Sequence, residues 1–204
     1  MNTKFIKTNN YSSREDNQIK AIICHITDGN AQSTIYEFTN PNTKKSAHYL
    51  VKRNGDIVQF VDEKFSAWHA GYKVNPTAKI ILDNINLNPN LITIGIEHEA
   101  FSNQDLTEIQ YVSSAKLISE ICERYGLERN TETIIKHNSV RSDKYCPGLV
   151  NISKLVNLTF NPPQINQVEE LKIKISLLQK LLELLKSLNY YKTLGRTGDN
   201  ERGY

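Results

Sequence analysis

Two histidines and one cysteine constrain the fold of this chain more than any other feature of its sequence. His25 lies in the stretch IICHIT, His137 in IIKHNSV and Cys146 in SDKYCPG. Imidazole and thiolate are ligands that zinc prefers, and a set of three leaves one coordination position open, which is typical of catalytic rather than structural zinc sites. If all three bind one ion, the fold must bring them together, with a loop joining His137 to Cys146.

The composition indicates a soluble globular chain. Of its 204 residues, 39% are hydrophobic and 23% are charged, which suits one domain of ordinary size plus an appendage. The net charge is +3 and the C-terminal part is not a cationic tail, so nothing indicates nucleic-acid binding. No uncharged apolar stretch reaches the roughly 18 residues of a membrane-spanning helix, so a membrane span is not expected.

The first residues and the cysteines bear on where the chain is made. The start, MNTKFIKTNNYSSRED, lacks the apolar core of a secretion signal, so we expect cytoplasmic synthesis without a signal peptide. Three cysteines, an odd number, do not suggest a disulfide framework. A reducing cytosol also suits a thiolate ligand.

Strand and helix signals are mixed along the chain. AIICHIT is predicted to be a buried strand, residues 32–38 a short helix, and SAHYLVKRNGDIVQFV a hairpin that turns at Asn54-Gly55. In LITIGIEHEA the isoleucines alternate with other residues, so Glu97 should face away from them. The first ten residues are expected to be a loose lead-in.

A longer helix is predicted from Thr107 to Tyr125. Thr107 and Gln110 match a capping box, and Gly126 is a plausible stop. Its apolar stripe comprises Val112, Ala115, Ile118, Cys122 and Tyr125. The mixture of strands and helices implies an α/β domain, with a sheet that carries helices.

The C-terminal part is predicted to be a separate amphipathic helix. Asn161-Pro162-Pro163 indicates a linker. After it, apolar residues are spaced by three and four, as in the a and d positions of a coiled coil: Val168, Leu171, Ile175, Leu178, Leu182 and Leu185. Such a face must pack on the first domain or on copies of itself, and we favour a homo-oligomer through residues 168–188. We therefore expect a zinc-site domain over 1–160, a linker and helix over 161–192, and a flexible tail over 193–204.

Taken in order, the motifs resemble the N-acetylmuramoyl-L-alanine amidase family, zinc amidases related to peptidoglycan recognition proteins and to many phage endolysins. The resemblance covers roughly residues 18–150 and rests on His25, His69 in AWHAG, Glu97 in TIGIEHEA, His137, Lys144 and Cys146. It implies a central mixed β-sheet flanked by helices, with the zinc in a surface groove. It also implies hydrolysis of the amide bond between N-acetylmuramic acid and L-alanine, with peptidoglycan as the partner.

The residues around the zinc ligands suggest roles that the resemblance also assigns. Glu97 is the candidate general base, because amide hydrolysis needs a group that takes a proton from water and an acid for the leaving amine. Lys144, two residues before Cys146, is the candidate cation that stabilises the developing oxyanion. The expected substrate-binding residues are His69, Trp68 and His48.

Three further residues are expected to be structural. Cys24 and His98 should point to the strand faces opposite their neighbours in the site, and Cys122 lies on the helix stripe. Some relatives use a tyrosine just before the histidine of the SAHYLV stretch. Here that position is Ala47, so more depends on Glu97.

Two other functions stay open at this point. One is a non-catalytic peptidoglycan-binding module on the same fold; members that only bind typically lose a metal ligand, often the cysteine, and Cys146 is present. The other is an assembly protein with a structural zinc, which would explain neither Glu97 nor the AWHAG motif. The leading interpretation is a phage or prophage endolysin, which acts on the cell wall after release from the cytoplasm.

Overall fold

The computed structural model describes residues 3–161 and 175–186, which belong to two units divided after Pro162. The strands described in the first unit are β1 (Thr3–Phe5), β2 (Tyr11–Ser13), β3 (Ala21–Ile26), β4 (Tyr49–Val51), β5 (Ile57–Gln59), β6 (Phe65–Ala67), β7 (Thr93–His98) and β8 (Ile134–Lys136). Its described α-helices are α1 (Ala31–Thr39), α2 (Lys79–Leu82), α3 (Pro89–Ile92), α4 (Glu108–Tyr125) and α5 (Ile152–Phe160).

Six of these strands form one mixed sheet in the order β1-β5-β4-β7-β3-β8, and β2 pairs with β6 in a separate two-stranded sheet. Strand β3 pairs in parallel with both β7 and β8. Strands β4 and β5 form the antiparallel hairpin that the Asn54-Gly55 turn predicts. The predicted mixed sheet flanked by helices is therefore confirmed.

Strand β3 separates the hydrophobic core from the candidate site. Every residue of β3 is buried. Cys24 packs in the core with Ile94 and Ile96 of β7 and with residues of α4 and α5. His25 points to the opposite face, because successive side chains of a strand alternate. The parallel register pairs His25 with Glu97, so both lie on the face opposite Ile94 and Ile96, as predicted.

Helix α4 covers the core face of the sheet, and its ends are those expected. The Thr107 hydroxyl accepts a hydrogen bond from the Gln110 amide, and the Gln110 side chain accepts one from the Thr107 amide. Gly126 ends the helix in the left-handed conformation, with φ of 63°. The predicted apolar stripe is buried except at Tyr125, which is 36% exposed because it lies in the last turn.

Residues 3–10 differ from the predicted loose lead-in. Strand β1 pairs in parallel with β5 at the edge of the sheet. Further on, Thr8 and Asn10 are buried, and both donate hydrogen bonds to the carbonyl oxygen of Phe38. The sequence did not reveal this because a strand of three residues is too short to show a clear period-two pattern.

The second unit is described over residues 175–186, which are helical. Four residues of the predicted stripe fall in this range and all are at least 49% exposed: Ile175, Leu178, Leu182 and Leu185. The rest of the predicted 168–188 helix, most of the linker and the predicted tail lie outside the described residues. Among the helices that the structure describes, none is long and apolar enough to cross a membrane.

Candidate metal centre and catalytic groove

A groove of about 660 Å³ opens on the sheet face that carries His25 and Glu97. The segment Trp68–Gly71 and the loop between His137 and Cys146 contribute to its walls. Charged residues of both signs line it: Asp28, Glu37, Lys44, Lys45, Arg141 and Lys144. The groove therefore gathers every predicted site residue except His48.

The three predicted zinc ligands come together at the floor of this groove. His25 is on β3, His137 opens a 3-10 turn directly after β8, and Cys146 is on the loop that follows. One potential ligand atom from each residue lies within 4.8 Å of the other two. The Nδ1 atom of His25 is 3.8 Å from the sulfur of Cys146, and the Ile26 amide also donates to that sulfur at 3.3 Å.

Burial favours the neutral form of both imidazoles, which is the form that binds a metal. Burial lowers the pKa of His25 well below its usual value, and the nearby His137 and His69 rings add to the effect. Burial also lowers the pKa of His137. For Cys146, burial and then the nearby Glu97 raise the pKa of the thiol. A bound divalent cation would instead lower the pKa of this thiol, because coordination stabilises the thiolate.

This set of donor atoms fits zinc. Bonds of about 2.1 Å to nitrogen and about 2.3 Å to sulfur in tetrahedral geometry place neighbouring ligand atoms roughly 3.5 Å apart. The 3.8 Å between His25 and Cys146 is close to that spacing. The potential ligand atoms of all three residues lie within 4.8 Å of one another.

Glu97 has an environment suited to proton transfer. One of its carboxylate oxygens, Oε2, is buried and has no hydrogen-bond partner within residues 3–161 and 175–186. Burial, followed by the negative charge of Glu37, raises the pKa of Glu97 well above its usual value, and Lys45 partly opposes this. A buried carboxylate oxygen with no partner among the described residues, on a side chain that lines the groove, suits proton exchange with a bound molecule.

The structure places three other predicted residues on the groove wall. Lys144 is exposed on the loop before Cys146 and lines the groove. Trp68 lines it as well, and its indole donates to the hydroxyl of Ser12 at 3.3 Å. His69 lines the groove but is also hydrogen-bonded to a candidate ligand, since its Nδ1 lies 3.0 Å from Nε2 of His25.

His48 does not lie where the sequence interpretation expected it. Its side chain is fully buried, with its ring centroid 5.6 Å from that of His69. Its Nδ1 accepts the Gly95 amide at 3.0 Å, and its Nε2 is 3.1 Å from the carbonyl oxygen of Phe65. A side chain without exposed surface cannot contact a substrate, so His48 is a packing residue.

Two groove features were missed by the sequence interpretation. Arg141 holds its guanidinium 4.1 Å from the ring centroid of Tyr72 and donates two hydrogen bonds to Asp143. Asn90 also lines the groove and accepts hydrogen bonds from the backbone amides of His69 and Ala70. The sequence shows only that Arg141 and Asp143 are two positions apart, and this spacing does not indicate that Arg141 lies in the groove.

Comparisons with known proteins relate this chain to amidases that act on N-acetylmuramoyl-L-alanine bonds. Residues 15–149 match the model of the family described as N-acetylmuramoyl-L-alanine amidase. The chain is 35% identical over 123 residues to N-acetylmuramoyl-L-alanine amidase A of Achromobacter lyticus, which covers 59% of this chain and 60% of that protein. It is 36% identical over 80 residues to the 1,6-anhydro-N-acetylmuramyl-L-alanine amidase AmpD of Haemophilus influenzae, which covers 39% of each. The chain thus spans 60% or less of the length of these relatives.

Solved structures share the fold. A selenomethionine derivative of AmpD aligns with a TM-score of 0.63 and 22% identity, over 76% of this chain and 93% of that one. AmiD from E. coli, in complex with the substrate anhydro-N-acetylmuramic acid-L-Ala-D-γ-Glu-L-Lys, aligns with a TM-score of 0.52 and 25% identity, over 67% of this chain and 54% of that one. Since the family match spans all three candidate ligands, the chain belongs to the N-acetylmuramoyl-L-alanine amidase family.

Proposed function

We propose that this protein is a zinc-dependent amidase that hydrolyses the bond between N-acetylmuramic acid and the L-alanine of peptidoglycan. The observation that carries the proposal is the convergence of His25, His137, Cys146 and Glu97 in one groove. Bound to the trio, zinc supplies Lewis acidity, which polarises a carbonyl group and lowers the pKa of water to about 7. The substrate class follows from the family and from the names of the relatives.

Glu97 moves the proton in this proposal. Its buried oxygen has no partner among the described residues, and its raised pKa makes it a stronger proton acceptor than an ordinary carboxylate. It takes a proton from the attacking water and passes it to the nitrogen of the departing L-alanine. The strand register fixes Glu97 beside His25, so the base and a metal ligand are held by the same pair of strands.

Lys144 supplies positive charge at the same place. Its ammonium is carried by the loop that ends at Cys146, and the side chain lines the groove. A cation held there stabilises the negative charge that develops on the oxygen of the scissile carbonyl. Trp68 and His69 form part of the wall against which the substrate lies.

The bond that is cut can be identified from the products. Purified peptidoglycan treated with the protein should yield new amino-terminal L-alanine and no new reducing sugar ends, because amide hydrolysis frees an amine and leaves the glycan intact. Labelling of free amino termini and a reducing-sugar assay on the same digest measure both. New reducing ends would mean glycosidase chemistry, which uses two carboxylates facing each other across the bond. Wall binding without either product would favour the non-catalytic module.

We also propose that the protein acts on intact walls, as a phage or prophage endolysin. The alternative substrate class is a soluble fragment of the kind named for AmpD, a 1,6-anhydro-N-acetylmuramyl peptide. The two are separated by running the product assay on intact sacculi and on soluble 1,6-anhydromuropeptides in parallel. Faster release of L-alanine termini from sacculi supports the endolysin role, and faster release from the soluble fragments contradicts it.

For the second unit we propose self-association through the 168–188 segment. In the described part, residues 175–186, apolar side chains at heptad spacing are exposed, and a second copy of the same helix is the partner that matches this spacing. Association would place several catalytic domains on one wall and raise their avidity.

Light scattering on the full chain tests this proposal. The protein should be oligomeric, and the double substitution Ile175→Asp with Leu182→Asp should give monomers, because two charges would enter the apolar interface. A matched control is Ser176→Asp with Gln179→Asp, which adds the same charge off the stripe and should leave the oligomer unchanged. A monomeric full chain would contradict the proposal, and so would equal effects of the two double variants.

A further inference from the structure

A short segment behind the candidate ligands contacts both imidazole rings. The Nδ1 atom of His69 lies within hydrogen-bonding distance of His25, 3.0 Å from its Nε2 atom. The carbonyl oxygen of Ala70 lies within hydrogen-bonding distance of His137, 3.2 Å from its Nε2 atom. Two adjacent residues therefore hydrogen-bond to the Nε2 atoms of both imidazole rings.

The contact at Ala70 fixes one tautomer. A backbone carbonyl oxygen can only accept a hydrogen bond, so Nε2 of His137 must carry the proton. In the neutral ring Nδ1 is then the nitrogen with the free lone pair. That nitrogen is the one left to bind a metal.

The contact at His69 fixes the other tautomer through a chain of hydrogen bonds. The hydroxyl of Thr93 donates to the carbonyl oxygen of Pro89 at 2.7 Å, so its proton is committed. Nε2 of His69 lies 3.3 Å from the same hydroxyl and therefore donates to it. Nδ1 of His69 is then an acceptor, and it takes the proton of Nε2 of His25. This leaves Nδ1 of His25, which lies 3.8 Å from the sulfur of Cys146, with the free lone pair.

The segment of His69 and Ala70 is itself fixed by hydrogen bonds to its backbone. The side-chain oxygen of Asn90 accepts the backbone amides of His69 at 3.2 Å and of Ala70 at 2.8 Å. Arg14 is buried and donates to the carbonyl oxygen of Asn90 at 3.1 Å. Gly95 provides the space for the ring, because a Cβ there would lie 2.4 Å from Cγ of His69.

We propose that His69 and the carbonyl of Ala70, clamped by Asn90, are positioning groups that hold both histidine ligands with Nδ1 toward the metal. This assigns His69 a role beyond lining the groove. This positioning role depends on the proposed function only because it names zinc as the bound ion. Outer partners of metal-bound histidines typically change metal affinity by about 10–100-fold, so the loss of one of them is measurable without any catalytic assay.

Two substitutions of His69 separate positioning from simple packing. His69→Phe keeps a ring of similar size against Gly95 but has no acceptor for His25. His69→Asn is smaller, yet its side-chain oxygen occupies the place of Nδ1 and can accept the same proton. A packing role predicts that His69→Phe is the milder change, whereas a positioning role predicts the reverse.

The test uses two readouts on the full chain: ¹⁵N NMR of the histidine side chains in the metal-free protein, and the zinc dissociation constant from chelator competition. In the unsubstituted protein both His25 and His137 should carry the proton on Nε2. His69→Phe should bind zinc about 10–100-fold more weakly and lose the single tautomer at His25 while keeping it at His137. His69→Asn should restore the tautomer and most of the affinity.

Several results would overturn the positioning role. One is an unchanged His25 tautomer and an unchanged zinc affinity in His69→Phe. Another is a loss of zinc affinity in His69→Asn at least as large as in His69→Phe. The third is a proton on Nδ1, rather than Nε2, of His25 or His137 in the unsubstituted protein. Thermal unfolding of each variant separates a folding defect from a local one, and if His69→Phe does not fold, His69→Asn and the unsubstituted protein still decide the tautomer. A protein that shows the expected pattern but cuts no peptidoglycan would remove the proposed function and leave the positioning role intact.

Discussion

Replacing Cys146 with serine is expected to abolish wall hydrolysis and to weaken zinc binding by more than about 100-fold, beyond the loss typical of partners outside the ligand set. Serine offers a neutral hydroxyl in place of a thiolate, so only His25 and His137 remain as good ligands. The zinc content should be one ion per chain before the substitution, as measured by elemental analysis. Chelation of the unsubstituted protein should give the same loss of activity, reversed by added zinc.

The control for this change is another buried thiol. Cys122 lies on α4 in the hydrophobic core, and Cys122→Ser should keep one zinc and a normal rate of hydrolysis even if it unfolds at a lower temperature. Full activity in metal-free protein would rule out the zinc mechanism. Normal zinc binding by Cys146→Ser would remove the cysteine from the ligand set.

Glu97→Gln is expected to keep the fold and the bound zinc and to lower the turnover number by about 10²–10⁴-fold, the usual effect of removing a general acid–base group. Glutamine has nearly the same shape as glutamate but cannot take up the proton of the attacking water. The turnover number and zinc content are measured on the same preparation, so that loss of metal and loss of the base are distinguished.

Glu37→Gln provides the matched control in the same groove. Glu37 lines the groove and forms an ion pair of 2.7 Å with Lys45, and the two side chains are 40% and 63% exposed, respectively. Its substitution should change the turnover number by no more than a few-fold, because burial rather than the charge of Glu37 is the larger cause of the raised pKa of Glu97. If Glu97→Gln turned over at a near-normal rate, another group would have to be the base.

The parts of the fold that could be predicted depend on local chemistry. The limits of α4 follow from a capping box and a glycine, which act within a few residues of the chain. The opposite directions of Cys24 and His25 follow from strand alternation alone. The three candidate ligands could be selected because imidazole and thiolate are uncommon side chains that zinc prefers as ligands.

The parts that could not be predicted depend on contacts between distant segments. The hydrogen bond to His137 uses the backbone carbonyl of Ala70, an atom that every residue has. The burial of His48 follows from how β4 packs beside β7, with the Gly95 amide donating to its ring. Hydrophobic periodicity contains no information about such pairings, so the sequence could not show that His48 is buried.

The distance in sequence between the ligands has a consequence for synthesis. The Ile26 amide and the Cys146 sulfur are in contact although 120 positions separate them, and β3 finds its partners β7 and β8 only later in the chain. A helix can form while the ribosome is still working, but pairings of this range must wait for the last participating segment. Under the proposed chemistry, a nascent chain that stops before Cys146 lacks a complete ligand set. Under that chemistry, hydrolytic capacity is acquired only after Cys146 has been made and the metal has bound.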